Sequence, residues 1–278
     1  MICFIDGKIN NFISIKNRAI HFGDGCFTTI RVVKKKPALL LKHICRLQNG
    51  VKKLYLPEPN WQKIIIDINK IANLNKNKLG VIKVIITRSW KKNNIGYSFK
   101  NNNKVIVIII LNKYPFFYLD QQKKGINLAV SNILINANKH LSEIKHLNRL
   151  EQILIKKDIE NKKIDEVITI NTYGHLIGCC SGNIFWRKGK NVYTPYVNIS
   201  GVAGVMREHI IEILSNNKKY KLFYVKTKPN ILLYANEVII TNSLMPILPI
   251  NNIFIYKKKW KYNSKKLFNF LLPYCLKV

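Results

Sequence analysis

Acidic residues are scarce in this chain. Its 278 residues include 14 Asp and Glu against 47 Lys and Arg, a formal net charge of +33 at pH 7. An excess of that size ordinarily points to a nucleic-acid partner. Here the surplus is nearly all lysine, runs the whole length and accompanies heavy use of Ile and Asn. Those are the residues an AT-rich coding sequence favours, so compositional drift accounts for the charge. No specific nucleic acid is expected as a partner, only weak, salt-sensitive adhesion to polyanions. Long apolar runs are missing too. The run from Val105 to Leu111 falls far short of the roughly 20 residues a spanning helix needs. The N-terminus has no basic stretch ahead of an apolar one, so no secretory signal is visible. The expectation is a soluble cytoplasmic protein with no membrane partner. The six cysteines, Cys3, Cys26, Cys45, Cys179, Cys180 and Cys275, show no CxxC spacing and no neighbouring His cluster. No metal site is expected. The adjacent pair Cys179-Cys180 reads as two reduced strand residues facing opposite ways rather than a disulfide.

What is present is enough apolar material for a core. Hydrophobic residues make up 47% of the chain, the content of a globular protein. The length suits one large domain or two modest ones. No internal repeat is visible, and the polar stretch from Phe99 to Lys104 reads as an exposed loop. Leu40 to Leu54 and Trp61 to Ala72 carry apolar residues at helical spacing. Val81 to Thr87 and Val105 to Leu111 are β-branched runs of strand length. The Lys113-Tyr114-Pro115-Phe116-Phe117 stretch has no clear period and marks a linker. The expected organisation is an N-terminal domain over 1–112, a linker over 113–120 and a second domain over 121–278. In the second domain, Asn127 to Ser131, Glu166 to Asn171 and Glu237 to Thr241 read as strands. Leu147, Leu150 and Leu154 read as one face of a helix after Lys145. Val202 to Leu214 reads as a helix entered through a glycine turn, and a closing helix starts near Ser264. Mixed sheet plus helices in two domains, an α/β (α+β) class, is the architecture these elements imply.

Four segments carry chemistry. The first is Asn17 to Arg31, with Phe22-Gly23-Asp24-Gly25-Cys26-Phe27-Thr28-Thr29. The second is Lys145-His146-Leu147-Asn148-Arg149-Leu150-Glu151. The third is Cys179-Cys180-Ser181-Gly182-Asn183-Ile184-Phe185-Trp186, and the fourth is Gly201-Val202-Ala203-Gly204-Val205-Met206-Arg207. A lysine that condenses with an aldehyde must first lose its proton, and cationic neighbours favour the neutral amine. Lys145, followed by His146 and Arg149, has such neighbours in sequence. A phosphate needs a guanidinium or the N–H groups at a helix start. Arg46 on the first predicted helix, the turn at Gly204 and Val205, and the Thr241 hydroxyl at a strand end are the candidates.

In these segments the chain resembles the fold-type IV, or class IV, pyridoxal-phosphate enzymes, and within them the aminodeoxychorismate lyase branch. The class pattern is met by Asn183-Ile184-Phe185, Thr194, Gly204-Val205 and Arg207. The lyase branch is met by the double threonine Thr28-Thr29 and by the Lys145-His146-Leu147-Asn148 run. The resemblance implies a two-domain fold, a smaller N-terminal α/β domain and a larger C-terminal pseudo-barrel domain with pyridoxal 5'-phosphate in the cleft. It implies that Lys145 is the lysine that condenses with the cofactor. Arg46 and the turn at Gly204 and Val205, with Thr241, would hold the phosphate, and Thr29 would relay a proton. The substrate would be the small molecule 4-amino-4-deoxychorismate, the products 4-aminobenzoate and pyruvate, and the assembly a homodimer. A class IV aminotransferase of the branched-chain or D-amino acid type is the alternative, as is a decayed, slow member of the fold. Two departures stand out. Gly178 occupies the position of a family glutamate that faces the pyridine nitrogen. Ile95 occupies a position where related lyases often carry arginine, which turns attention to Arg88 and Tyr97 as groups that meet the substrate.

Overall fold

A computed structural model describes residues 1–90, 96–100, 103–160, 164–255 and 258–277. Ile95 lies outside the described residues. The chain divides into two compact units, one of Met1–Pro115 with Ile144–Asn148 and one of Phe116–Glu143 with Arg149–Val278. Lys113 closes a strand and a helix begins at Phe117, so much of the 113–120 stretch is regular structure.

The first unit is a six-stranded sheet faced by helices. Its strands are β1 (Ile2–Ile5), β2 (Lys8–Ile9), β3 (Gly25–Val33), β4 (Lys36–Pro37), β5 (Leu79–Arg88) and β6 (Val105–Lys113), in the order β2-β1-β6-β5-β3-β4. All its pairings are antiparallel. Three helices accompany them: α1 (Arg18–Phe22), α2 (Leu40–Lys53) and α3 (Trp61–Asn73). Helix α2 buries His43, Ile44, Arg46, Leu47, Gly50 and Val51, spacings of three and four that put one stripe on the sheet. Helix α3 starts at Asn60, whose side chain accepts from the Lys63 N–H at 2.9 Å, and buries Ile64, Ile68, Ile71 and Ala72. Strand alternation sends Cys26, Ile30 and Val32 into the core beneath these helices, where Ile82, Val84 and Ile86 of β5 meet them. Phe27, Thr29 and Arg31 therefore share the other face. The segment Ile144–Asn148 joins this sheet at the start of β3. The Phe27 N–H donates to Lys145 O at 2.8 Å, and the Leu147 N–H donates to Gly25 O at 3.0 Å.

The second unit contains α4 (Phe117–Lys124), β7 (Ile126–Val130), α5 (Leu150–Ile159), β8 (Glu166–Ile170), β9 (Leu176–Cys179), β10 (Asn183–Lys188) and β11 (Asn191–Pro195). It continues through α6 (Val205–Ser215), β12 (Lys221–Val225), a 3-10 turn over Pro229–Tyr234, β13 (Glu237–Thr241), β14 (Leu248–Ile255), β15 (Lys258–Lys261) and α7 (Lys266–Leu276). The strands form one mixed sheet in the order β12-β11-β10-β13-β14-β7-β8-β9, with β15 on β14. Glu237 ties the sheet to the closing helix. Its buried carboxylate accepts from the Arg187 Nε at 3.2 Å and from the Leu267 and Phe268 N–H groups at 2.9 and 2.8 Å, capping α7.

Two readings of local structure need correction. The leucine stripe expected after Lys145 is not a core face. Helix α5 begins only at Leu150, and Leu150 and Leu154 are 74% and 56% exposed while Ile155 and Ile159 are buried. Leu147 belongs to the strand-like pairing with Gly25 instead. The helix expected from Val202 begins at Val205, because Asn183 and Glu143 hold residues 201–203 in an extended turn. All six cysteines are free thiols. Cys179 is buried, which pushes its thiol well up, and the Cys180 Sγ donates to Gln152 O. Among the described residues no helix is long and apolar enough to cross a membrane. Nor does any group of three His, Cys, Asp or Glu among them suit a metal.

Candidate functional site

In the first unit the outward face of β3 brings Thr29 and Lys145 together. The Lys145 Nζ stands 4.7 Å from the centroid of the Phe27 ring and the Lys83 Nζ stands 4.8 Å from it. Lys83 is the cross-strand partner of Thr29, so both lie on the same face as Phe27. Lys145 is partly buried rather than solvated on all sides. The cation that shares its ring is thus Lys83, from a distant strand. Nothing local in the sequence marked Lys83. Its signal was its place in β5 one strand away from Thr29, which only the register reveals.

The core side of β3 holds the rest of a polar constellation. Thr28 is fully buried, and its hydroxyl lies 2.6 Å from the His43 Nδ1. The Arg46 Nε donates to the Thr28 Oγ1 at 3.1 Å, and the Arg46 Nη2 donates to the same oxygen and toward the His43 Nδ1 at 3.3 Å. Burial, and then the Arg46 charge, push the His43 imidazole well below its ordinary value, so it is neutral. The two adjacent threonines therefore do different things. Thr28 braces Arg46 from within, and Thr29 faces outward.

Arg88 is already committed. Its Nε donates to the Asp24 Oδ2 at 2.9 Å, and its Nη1 and Nη2 donate to Tyr55 O and Leu54 O at 2.9 and 3.0 Å. Every nitrogen of Arg88 thus has a partner within the chain, and the residue is 2% exposed. The same Asp24 oxygen accepts from the Arg18 Nε at 2.7 Å, and Arg18 in turn clasps the carbonyls of Gly96, Tyr97 and Ser98. Tyr97 itself is 83% exposed and packs on Phe22 at 5.3 Å.

In the second unit the residues of the class pattern meet around the start of α6. The Asn183 Nδ2 donates to Val202 O at 2.9 Å. A Cβ on Gly204 would stand 2.0 Å from the Asn183 Oδ1, so any larger residue there would displace the Asn183 side chain. Helix α6 opens on Gly204 with no side chain capping it. Its first-turn N–H groups are the kind of donor set an anion occupies. Arg207 is buried, which lowers its pKa, and its Nη2 donates to Pro195 O at 2.9 Å and its Nε to the Thr194 Oγ1 at 3.4 Å. Thr194 donates to Ile184 O at 3.0 Å. Thr194 and Arg207 thus pin α6 to the sheet from behind. Thr241 pairs with Asn183 across β10 and β13, but its hydroxyl hydrogen goes to Pro246 O. The hydroxyl of Thr241 is thus turned to the chain's own backbone. Arg149, at the start of α5, is lowered to about 10, chiefly by burial.

Gly178 lies on β9 opposite Thr169, at φ +156°, and a Cβ there would approach Gly182 O to 3.0 Å. The backbone is shaped to glycine. The nearest upstream acid, Glu166, turns its carboxylate to the Val167 N–H at 2.9 Å and to the N–H and hydroxyl of Ser181. Burial raises its pKa. Glu166 sits opposite Leu128 on the strand face that carries Ile168, whereas Gly178 shares the face of Thr169.

Comparison with known proteins identifies the family and the fold. The family model for amino-transferase class IV matches residues 25–253. The chain is 31% identical over 264 residues to an aminodeoxychorismate lyase of Vibrio harveyi, covering 95% of this chain and 96% of the relative. Its fold is that of the crystal structure of 4-amino-4-deoxychorismate lyase from Pseudomonas aeruginosa, with a TM-score of 0.89, 24% identity and 98% of each chain covered. The branched-chain aminotransferase from Thermoproteus uzoniensis, solved with norvaline, has the same fold at a TM-score of 0.86, with 19% identity over 100% of this chain and 94% of that one.

Proposed function

Because this chain belongs to the amino-transferase class IV family, we propose that it is a pyridoxal-phosphate-dependent lyase that splits 4-amino-4-deoxychorismate into 4-aminobenzoate and pyruvate. The observation that carries the reading is the near-full-length match to the Vibrio harveyi lyase. Supporting it is a lysine held over an aromatic ring beside a second lysine and a threonine on one strand face.

The residues present suit the cofactor. The uncapped first turn of α6, where Gly204 leaves room for the Asn183 side chain, offers N–H groups to a phosphate. Arg46 offers a guanidinium whose Nε and Nη2 are fixed by Thr28 and His43. When bound, pyridoxal phosphate supplies an aldehyde that condenses with an amine and a ring that takes up an electron pair. Lys145 is the condensing amine in this reading. As a free amine, Lys145 would take the proton from the amine-bearing ring carbon of the substrate. The C–O bond on the adjacent carbon then breaks, and the departing enolpyruvyl group gains a proton at its methylene carbon to leave as pyruvate. Thr29 or Lys145 delivers that proton. Loss of the enolpyruvyl group makes the ring aromatic, which drives the step forward. Lys83, on the Thr29 face, holds a substrate carboxylate.

Gly178 offers no anion, so this chain does not supply from that position a charge that keeps the pyridine nitrogen protonated. A slow enzyme is the expected consequence. The test is product formation by purified protein and by Lys145→Ala, with 4-aminobenzoate and pyruvate followed together. The second reading, a branched-chain-type aminotransferase, is favoured by the fold shared with the Thermoproteus uzoniensis enzyme. It requires a keto acid as second substrate, and amino transfer to 2-oxoglutarate or pyruvate would identify it.

A further inference from the structure

Thr28, His43 and Arg46 form a connected polar group beneath β3, and the count of hydrogens along these contacts allows one arrangement. The Arg46 nitrogens can only donate. Nε and Nη2 both reach the Thr28 Oγ1, so that oxygen is an acceptor for arginine. Its single hydrogen must then point to the remaining neighbour, the His43 Nδ1 at 2.6 Å. His43 accepts there and carries its own proton on Nε2. The Arg46 Nη2 aims at the same Nδ1 at 3.3 Å, which again requires a bare nitrogen. The order of donation runs from Arg46 through Thr28 to His43, with an additional direct contact from arginine to histidine.

The helix explains why these residues meet. His43 and Arg46 are three residues apart on α2, so their side chains leave one face, and that face packs on β3 at Thr28. The histidine is 1% exposed, and its only charged neighbour among these contacts is the guanidinium. A protonated imidazole would put an N–H against both the Thr28 hydroxyl and the Arg46 Nη2 and break the order.

We propose that His43 is a positioning residue for the reaction proposed above: through Thr28 it fixes the Arg46 guanidinium in the orientation that receives a phosphate group. The proposal rests on the reading of Arg46 as a phosphate-holding arginine. Arginine is a long flexible side chain, and a guanidinium held at Nε and Nη2 turns its Nη1 corner one way only. Much of the ordering cost of gripping a phosphate is then met before the ligand arrives.

The experiment measures affinity for pyridoxal phosphate and, separately, competition by inorganic phosphate, with melting temperature of the cofactor-free protein alongside. His43→Leu removes the acceptor while keeping bulk. His43→Asn keeps an acceptor oxygen near the position of Nδ1. Thr28→Val removes the hydroxyl alone and serves where the leucine variant folds poorly. His43→Leu and Thr28→Val should each weaken both ligands about tenfold, the scale of one lost hydrogen bond to a charged group. His43→Asn should recover most of that loss. In an Arg46→Ala background, His43→Leu should add nothing. Equal losses in the leucine and asparagine variants, or a full additive loss on top of Arg46→Ala, would overturn the proposal. An Arg46→Ala protein that binds both ligands like the parent would instead sink the Arg46 reading, and the role of His43 with it.

Discussion

Lys83 and Lys145 place their Nζ atoms over the same aromatic ring, that of Phe27, at 4.8 and 4.7 Å. The two amines that share a ring are separated by their tasks in the proposed reaction, one to move a proton and one to hold an anion. Lys145→Ala should abolish the yellow absorbance of cofactor joined to lysine. Lys83→Met should leave that absorbance intact and raise the KM for a dicarboxylate substrate by about tenfold or more, the weight of one charge-assisted contact. Absorbance spectra and steady-state kinetics on the two variants separate the roles. Loss of the absorbance in Lys83→Met would place that lysine in cofactor binding instead.

The Arg18–Asp24–Arg88 cluster makes a stability prediction. One carboxylate oxygen serves two nearly buried guanidinium groups, at 2.7 and 2.9 Å. Asp24→Asn strands both cations, and breaking such a pair costs about 3–5 kcal/mol. Denaturant unfolding should register a loss in that range, together with weaker pairing of β3 with Ile144–Asn148. A change below about 1 kcal/mol would put the cluster in the class of surface ion pairs.

Restoring an acid at Gly178 should not rescue the enzyme in place. At φ +156°, with Gly182 O 3.0 Å from any Cβ, a side chain strains the backbone. The expected cost is about 1–3 kcal/mol. Gly178→Ala and Gly178→Glu should both lower the melting temperature, and turnover should fail to rise in the glutamate variant. A glutamate variant that is both faster and as stable as the parent would contradict this.

His43 sets the direction of one pH effect. Its folded pKa lies below the usual imidazole value of about 6.5, so the unfolded chain binds its proton first. The stability it contributes is complete above that value and is lost as pH falls toward the folded pKa. Glu166 runs the other way. Burial raises its folded pKa, so its contribution is complete below the ordinary carboxylate value and is lost as pH rises through the folded one. Melting curves between about pH 7 and pH 5 should show a loss that is smaller in His43→Asn. Glu166→Gln should flatten the opposing trend.

Much of this was legible in the chain itself. The β-branched runs of β5 and β6 and the apolar stripes of α2 and α3 are local patterns, and their structures follow from them. The class pattern is legible for a physical reason: Asn183, Thr194, Gly204 and Arg207 all serve the start of α6. What stayed hidden depends on register and long-range pairing. Among 47 basic residues nothing singles out Lys83 until Thr29 is seen opposite it. Thr28 and Thr29 look alike until the strand turns them to opposite faces. Leu150 and Leu154 have core spacing yet face outward, because α5 buries Ile155 and Ile159. The partners of Arg88, Asp24 and the carbonyls of Leu54 and Tyr55, lie far from it in sequence.

The most direct test supplies 4-amino-4-deoxychorismate to the purified protein loaded with pyridoxal phosphate, with no keto acid present, and follows both products in time. The account predicts 4-aminobenzoate and pyruvate in equal amounts, at a modest rate, and neither from Lys145→Ala. Amino transfer that depends on an added keto acid, or equal product formation by the Lys145→Ala protein, would contradict it.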